Sequence, residues 1–180
     1  KIPVIAKFSG GFLHNVKDWA HAAVDAGADG IDCCDSLGPG LSINIETGEP
    51  WLGGPRGVGG LTGPALKPIS LRMILEMAQH VSIPLVGVGG ISRAEDAIEY
   101  FMAGASFVGV TTAGHRKGAR TFTRIAEGID KWVSEHGYSD VSDLIGLTLR
   151  KIETRRQRGL VAITKPQLPV IDLQRCTGCR

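Results

Sequence analysis

The sequence predicts an α/β fold, half of a (β/α)8 TIM barrel built from about four βα units. Three observations lead there. Short apolar runs alternate with stretches whose apolar residues recur at helical spacing, in the order βαβαβαβα. Continuous apolar strands between helices belong to a parallel sheet covered by helices. The joint Ala26-Gly27-Ala28-Asp29-Gly30-Ile31 returns as Ala103-Gly104-Ala105-Ser106-Phe107-Val108, a weak internal repeat that suits a barrel. A complete barrel needs about 250 residues, whereas this chain has 180. The alternative built from the same elements is a small doubly wound sheet.

Each element has its own justification. Residues 3–8, PVIAKF, are an apolar strand that SGG ends in a loop. Val16, Trp19, Ala20, Ala23 and Val24 repeat at helical spacing, which predicts a helix over 15–26 capped by Gly27. Residues 30–34, GIDCC, are the second strand. Residues 37–63 form a long loop rich in Gly and Pro. Within it LSINI alternates, Thr47-Gly48-Glu49 turns and Trp51-Leu52 follows, so a small excursion hairpin is expected. Loops of this length in a compact domain are usually functional.

Leu71, Ile74, Leu75 and Ala78 mark a helix after Pro68. Residues 83–88, IPLVGV, are the third strand, ended by Gly89-Gly90. Ser92 and Glu95 have capping-box spacing before a helix that carries Ala94, Ala97, Ile98, Phe101 and Met102 and stops at Gly104. Residues 106–110, SFVGV, are the fourth strand, running into Thr111-Thr112-Ala113. A long helix around Phe122, Ile125, Ala126, Ile129 and Val133 follows, then a shorter one with Val141, Leu144, Ile145 and Leu149. The run RKIETRRQR at 150–158 predicts a solvated helix face. Lys165-Pro166 and Leu168-Pro169 favour extended chain beyond it. The expected domains are therefore 1–150, the half-barrel, 151–169, a basic helix and linker, and 170–180, a cysteine-bearing end.

Composition narrows the function. A net charge of +2 with 43% apolar residues argues against disorder and against a nucleic-acid partner. No run of 18 apolar residues is present, so no membrane span is expected. The first residues form a strand without a start methionine or signal peptide, so the natural chain is expected to begin earlier. The four cysteines are Cys33, Cys34, Cys176 and Cys179, a poor disulfide framework that fits a reducing cytoplasm.

Two loops carry the chemistry. Gly87-Val88-Gly89-Gly90-Ile91-Ser92 ends a strand and opens a capped helix. Glycines let the backbone approach an anion, and free N–H groups with the helix dipole favour phosphate. Thr111-Thr112, at the end of the next strand, adds N–H and hydroxyl donors. Phosphate sites of (β/α)8 enzymes commonly lie on the loops after the last two strands. The plainer alternative is that Gly89-Gly90 only makes a tight turn. Lys7 stands in an otherwise apolar strand, where burial without a partner is costly. It must reach the barrel mouth or face an anionic group such as a reduced flavin, unless it snorkels to water from an edge. Cys33 and Cys34 are expected as inert core thiols on opposite faces of a strand.

The stretch GGLTGPALKPISL at 59–71 resembles the glycine-rich signature of dihydroorotate and dihydropyrimidine dehydrogenases. PVIAKFS is similar to their lysine-bearing strand, GVGGIS to their first phosphate loop and FVGVTTA to their second. Order and spacing agree from residue 3 to about 145. The resemblance implies the C-terminal half of a barrel that binds FMN. By position it implies Lys7 against the isoalloxazine, and Gly63, Gly89, Gly90, Thr111 and Thr112 around the phosphate and ribityl end. Thr111 stands where dihydroorotate dehydrogenases commonly have glycine, which mildly favours the dihydropyrimidine branch. The substrate-binding Asn-Thr pair of the family falls on Asp35-Ser36. A carboxylate only accepts hydrogen bonds, where an amide also donates.

The family's catalytic Cys or Ser lies in the other half of the barrel, so no catalytic residue is expected here. Cys176-Thr177-Gly178-Cys179 resembles the opening of a [4Fe–4S] ferredoxin segment, as is fused after the barrel in NAD-dependent dihydropyrimidine dehydrogenases. A lone C-x-x-C is also compatible with a zinc half-site or a redox pair. The implied parent enzyme interconverts 5,6-dihydropyrimidines and pyrimidines. It passes electrons to NAD(H) through iron–sulfur clusters and a partner flavoprotein subunit, in an oligomer. A dihydroorotate dehydrogenase, another ene-reductase of the fold, and a non-catalytic flavin-binding scaffold are the alternatives. The half-barrel alone is expected to be inactive and weakly stable, since its outer strands lack neighbours.

Overall fold

The computed structural model describes residues 2–53 and 56–159. In chain order it contains β1 (Ile5–Phe8), a 3-10 segment (Gly10–Asn15), α1 (Val16–Asp25), β2 (Gly30–Cys33), β3 (Leu37–Leu41) and β4 (Val58–Leu61). A 3-10 turn (Pro64–Leu66), α2 (Lys67–Met77), β5 (Leu85–Val88), α3 (Ala94–Ala103), β6 (Phe107–Gly109), α4 (Thr112–Lys117) and α5 (Arg120–Glu135) follow. A 3-10 turn (Val141–Leu144) and α6 (Leu147–Gln157) complete the described residues. No described helix is long and apolar enough to cross a membrane.

β1, β2, β5 and β6 form one parallel sheet in that order. The order follows the chain without reversing. A doubly wound sheet reverses at a switch point, and the described strands have none. Register places Lys7 opposite Asp32, Asp32 opposite Val86 and Val86 opposite Phe107. Strand residues alternate between faces, so the sheet has two unlike sides. Ile31, Cys33 and Leu85 are buried in one core with Met73, Ile74 and Met77 of α2 and Ala97, Tyr100 and Phe101 of α3. Each large apolar side chain buried there stabilises the fold by about 1.5–3 kcal/mol. The opposite side carries the Lys7–Asp32 row, with Ile5 at 47% and Phe107 at 61% exposure. Among the described residues, helices cover one face only.

Gly87 explains how closely α3 sits. The Tyr100 ring packs directly on it, where a β-carbon would collide. Gly104 ends α3 at φ 120°, a conformation that suits glycine.

Three local expectations need correction. Asp96, and not Glu95, closes the start of α3: its Oδ2 accepts from the Ser92 N–H and hydroxyl at 2.9 Å and from the Arg93 N–H at 3.2 Å. The helix begins at Ala94, so its third residue is Asp96, one later than the pattern Ser92-x-x-Glu95 supposes. The excursion hairpin is longer than the alternating segment suggested. Its base is the antiparallel pair β3–β4, and its tip closes through Trp51 N–H to Ser42 O at 2.9 Å and Asn44 N–H to Glu49 O at 2.8 Å. Cys33 and Cys34 are core thiols, as expected, both fully buried, but Cys34 lies beyond the strand, so the alternation of faces does not extend to it. β2 ends at Cys33 and the Cys33–Cys34 peptide is cis; the Cys33 thiol lies 3.8 Å from the Met73 sulfur and the Cys34 thiol 3.8 Å from the Ser36 carbonyl. The neighbouring Cys34 thiol first, and then burial, push the Cys33 thiol far up. It stays protonated and unreactive at neutral pH.

Candidate functional site

A cleft of about 490 Å³, part of it open solvent, lies at the carboxyl ends of the sheet strands. Lys7, Asp35, Thr62, Gly63, Val88, Gly89, Gly90, Ile91, Gly109, Thr111 and Thr112 line it. Ligands of α/β sheets bind at this end, because the loops there are free to vary while the strands fix them. The candidates Lys7, Asp35, Gly63, Gly89, Gly90, Thr111 and Thr112 thus meet in one place. Ser36 does not line it. Its carbonyl accepts the Gly10 N–H at 2.9 Å, and its side chain packs against Gly60 under the hairpin.

The β5 end is held from every side. Tyr100 donates its hydroxyl to the Gly89 carbonyl at 2.6 Å, Cys34 N–H donates to the Val88 carbonyl at 2.8 Å, and the Ser70 hydroxyl donates to that same carbonyl. Burial pushes the Tyr100 phenol up, so it remains a donor. Gly63, Gly89 and Gly90 have φ of 78°, 121° and 76°, which side chains adopt only with strain. A β-carbon on Gly90 would lie 2.8 Å from the Gly63 carbonyl and 2.9 Å from the Lys67 nitrogen. The loops bearing Gly63 and Gly90 therefore interlock.

A partly buried ion cluster fastens this interlock. Lys67 Nζ meets Asp96 at 2.7 Å and Glu99 at 2.9 Å. Burial works against the Lys67 charge, yet the bonds to Asp96 and Glu99 outweigh it and its pKa is raised. Burial likewise works against the Asp96 charge, but the hydrogen bonds from Lys67 and Ser92 hold that carboxyl below its ordinary range. Both groups stay charged at neutral pH, so the clasp stays closed.

At the β1–β2 end, Lys7 Nζ is 2.9 Å from Asp32 Oδ2. Their neighbouring strands and parallel register bring them together. Asp32 Oδ1 is buried without a hydrogen-bond partner among the described residues. Asp35 Oδ1 accepts the Ser36 N–H at 2.7 Å, which leaves its second oxygen for the cleft. The β6 end is more open. Thr111 precedes and Thr112 begins α4, whose last turn carries His115, Arg116 and Lys117. A second hollow, lined by Arg116 and Lys117, joins the cleft through Gly63, Ile91 and Thr112.

Comparison with known proteins bears on this geometry. Residues 1–133 match the family described as dihydroorotate dehydrogenase. The catalytic subunit of dihydroorotate dehydrogenase B (NAD(+)) from Pyrococcus abyssi is 38% identical over 148 residues, 82% of this chain and 48% of that protein. The namesake subunit from Pelobacter propionicus is 42% identical over 149 residues, 81% of this chain and 46% of that one. The chain belongs to the dihydroorotate dehydrogenase family. It spans about half the length of these curated relatives. A crystal structure of Eimeria tenella DHODH in complex with ferulenol shares the fold, with a TM-score of 0.68 at 24% identity over 83% of this chain and 39% of that one.

These findings support the family, and not the dihydropyrimidine branch in particular. FMN, the cofactor the family implies, suits this donor set. Gly89 and Gly90 bring bare backbone to the cleft wall, Thr111 and Thr112 add donors, Arg116 stands beyond the threonine end, and Lys7 stands at the other. Among the described residues no cluster of His, Cys, Asp and Glu could hold a metal. Cys176 and Cys179 lie outside the described residues.

Sequence reasoning missed Asp32, Ser70, Tyr100 and the Lys67–Asp96 clasp. Asp32 was discoverable: it is the one acidic residue of an apolar strand, next to the strand holding the lone Lys7. Nothing local marked Ser70 or Tyr100, since their partners are carbonyls 18 and 11 residues away.

Proposed function

We propose that this chain is the C-terminal, FMN-binding half of a dihydroorotate-dehydrogenase-type oxidoreductase that acts on the CH–CH bond of a ring substrate. The observation that carries this is the single cleft gathering Lys7, Asp35, Gly63, Gly89, Gly90, Thr111 and Thr112 at the carboxyl ends of consecutive strands. A preceding half of the barrel would cover the open side of the sheet, where Ile5 and Phe107 are exposed. The backbone of Gly89-Gly90 and the donors of Thr111 and Thr112 would hold the phosphate, with Gly63 admitting the ribityl chain. Bound there, the flavin supplies a two-electron acceptor for the substrate's hydrogen. Lys7, oriented by Asp32, places positive charge where the reduced ring becomes anionic. A Cys or Ser from the preceding half would take the second proton.

Relatives named as NAD(+)-dependent catalytic subunits support a partner subunit that exchanges electrons with NAD(H). Cys176 and Cys179 would begin an iron–sulfur segment on that route. Domain limits of 1–150, 151–169 and 170–180 go with this reading.

A second reading, a dihydropyrimidine dehydrogenase, is favoured by one observation. Asp35 puts a carboxylate into the cleft. Two like charges about 4 Å apart repel by about 1–4 kcal/mol in water-exposed or partly exposed surroundings. The carboxylate of dihydroorotate would therefore be disfavoured, and the N–H groups of dihydrouracil welcomed.

The test uses the full-length protein, purified anaerobically and titrated with dihydroorotate, dihydrouracil and dihydrothymine. Bleaching of a flavin spectrum by dihydroorotate supports the first reading. Bleaching by the other two alone supports the second. A protein that retains no flavin overturns both.

A further inference from the structure

We propose a second anion site, separate from the flavin cleft, that binds the phosphate group of a ligand between α3 and the start of α5. A hollow there, about 630 Å³ with part of it open solvent, is lined by Arg93, Lys117, Arg124, Glu95 and Thr121 over an apolar floor including Ile125. Three cations and one carboxylate leave a net lining charge of +2. Arg93 is shared with Glu95 at 3.6 Å and Asp96 at 3.7 Å, and Asp96 is itself held by Lys67. Lys117 and Arg124 have no ion-pair partner among the described residues.

The second, independent observation is Thr121. It lines this hollow, is only 4% exposed, and its Oγ1 is buried without a hydrogen-bond partner among the described residues. A buried hydroxyl left unpaired costs about 1–3 kcal/mol. An anion held by Lys117 and Arg124 gives that hydroxyl an acceptor and gives the two cations their counter-charge. Phosphate fits this donor set best, because it offers several strong acceptor oxygens to donors arriving from different elements. The site is not the flavin's. It shares no lining residue with the cleft of Lys7 and Gly89, and reaches it only through the intermediate hollow containing Ser92 and Lys117.

The experiment is calorimetric titration of the full-length, flavin-saturated protein with inorganic phosphate and with adenosine monophosphate, in chloride at constant ionic strength. The same titrations are run on Lys117→Gln, Arg124→Gln and Thr121→Val. The expected result is one phosphate per chain, weakened about tenfold by either charge substitution and by about three- to tenfold in Thr121→Val. Thr121→Val should also melt no lower than the parent when phosphate is absent, since it removes an unpaired hydroxyl, and lose the melting shift that phosphate produces. Tighter binding of the monophosphate than of inorganic phosphate assigns the site to a phosphate ester, and equal binding assigns it to the free ion. No binding up to about 10 mM phosphate, or binding unchanged in all three variants, overturns the proposal.

Discussion

The ends of β5 and β6 face one cleft, yet they are built in opposite ways. At β5 the Val88 and Gly89 carbonyls are taken by Cys34, Ser70 and Tyr100, and Gly90 is locked against Gly63 and Lys67. At β6 the strand stops after three residues, Thr111 is exposed, and α4 is a six-residue helix ending in cations. The difference teaches where ligand recognition can reside. The glycines of β5 are demanded by the protein's own packing, so their presence alone says little about a ligand. The threonines of β6 answer to little inside the fold, which leaves them to the ligand.

The largest expected effect tests the interlock. Gly90→Ala must place a methyl group 2.8 Å from a carbonyl at φ 76°, and is expected to lower stability by about 3 kcal/mol or more in denaturant unfolding. A variant of parental stability would break the comparison. Opening the clasp comes next. Asp96→Asn leaves the partly buried Lys67 with Glu99 as its remaining charged partner and should cost about 2 kcal/mol at pH 7.

The pH dependence has a definite sign. The Asp96 carboxyl is held below its ordinary 3.8, so its contribution is present above that value and is lost as pH falls through the lowered one. Unfolding measured from neutral pH into acid should show that loss in the parent and a flatter acid limb in Asp96→Asn.

Smaller effects sharpen the contrast. Tyr100→Phe removes the donor to Gly89 without changing shape, and should cost about 1–2 kcal/mol on thermal unfolding. Thr112→Val should leave stability within about 0.5 kcal/mol while weakening flavin retention by about tenfold, read by fluorescence of released flavin. If the two effects exchanged places, with stability falling and flavin affinity unchanged, β6 would be structural as well and the contrast would fail.

Much of this was legible along the chain. The four sheet strands were visible because each is a short apolar run bounded by glycine, and the helices because their apolar residues repeat. Lys7 stood out as one charge in such a run, and the glycine-rich stretch 59–71 with the two loops carried the family resemblance. Less legible were features set by a shift of one residue. Asp96 and Glu95 differ only in where the helix starts, and Cys34 leaves the alternation of the strand because β2 ends before it. Ser36 was expected beside Asp35 in the cleft, but the hairpin covers it.

The sequence by itself determined the strand–helix alternation, the family, and which loops carry glycine and threonine, because these depend on local period and on residues adjacent in the chain. Tertiary structure alone decided that Lys7 meets Asp32, that Lys67 meets Asp96, and that Tyr100 and Ser70 hold the Gly89 loop. It also decided that Thr121 lines the same hollow as Lys117 and Arg124. Those pairings depend on strand register and helix docking, which bring residues 11 to 29 positions apart into contact.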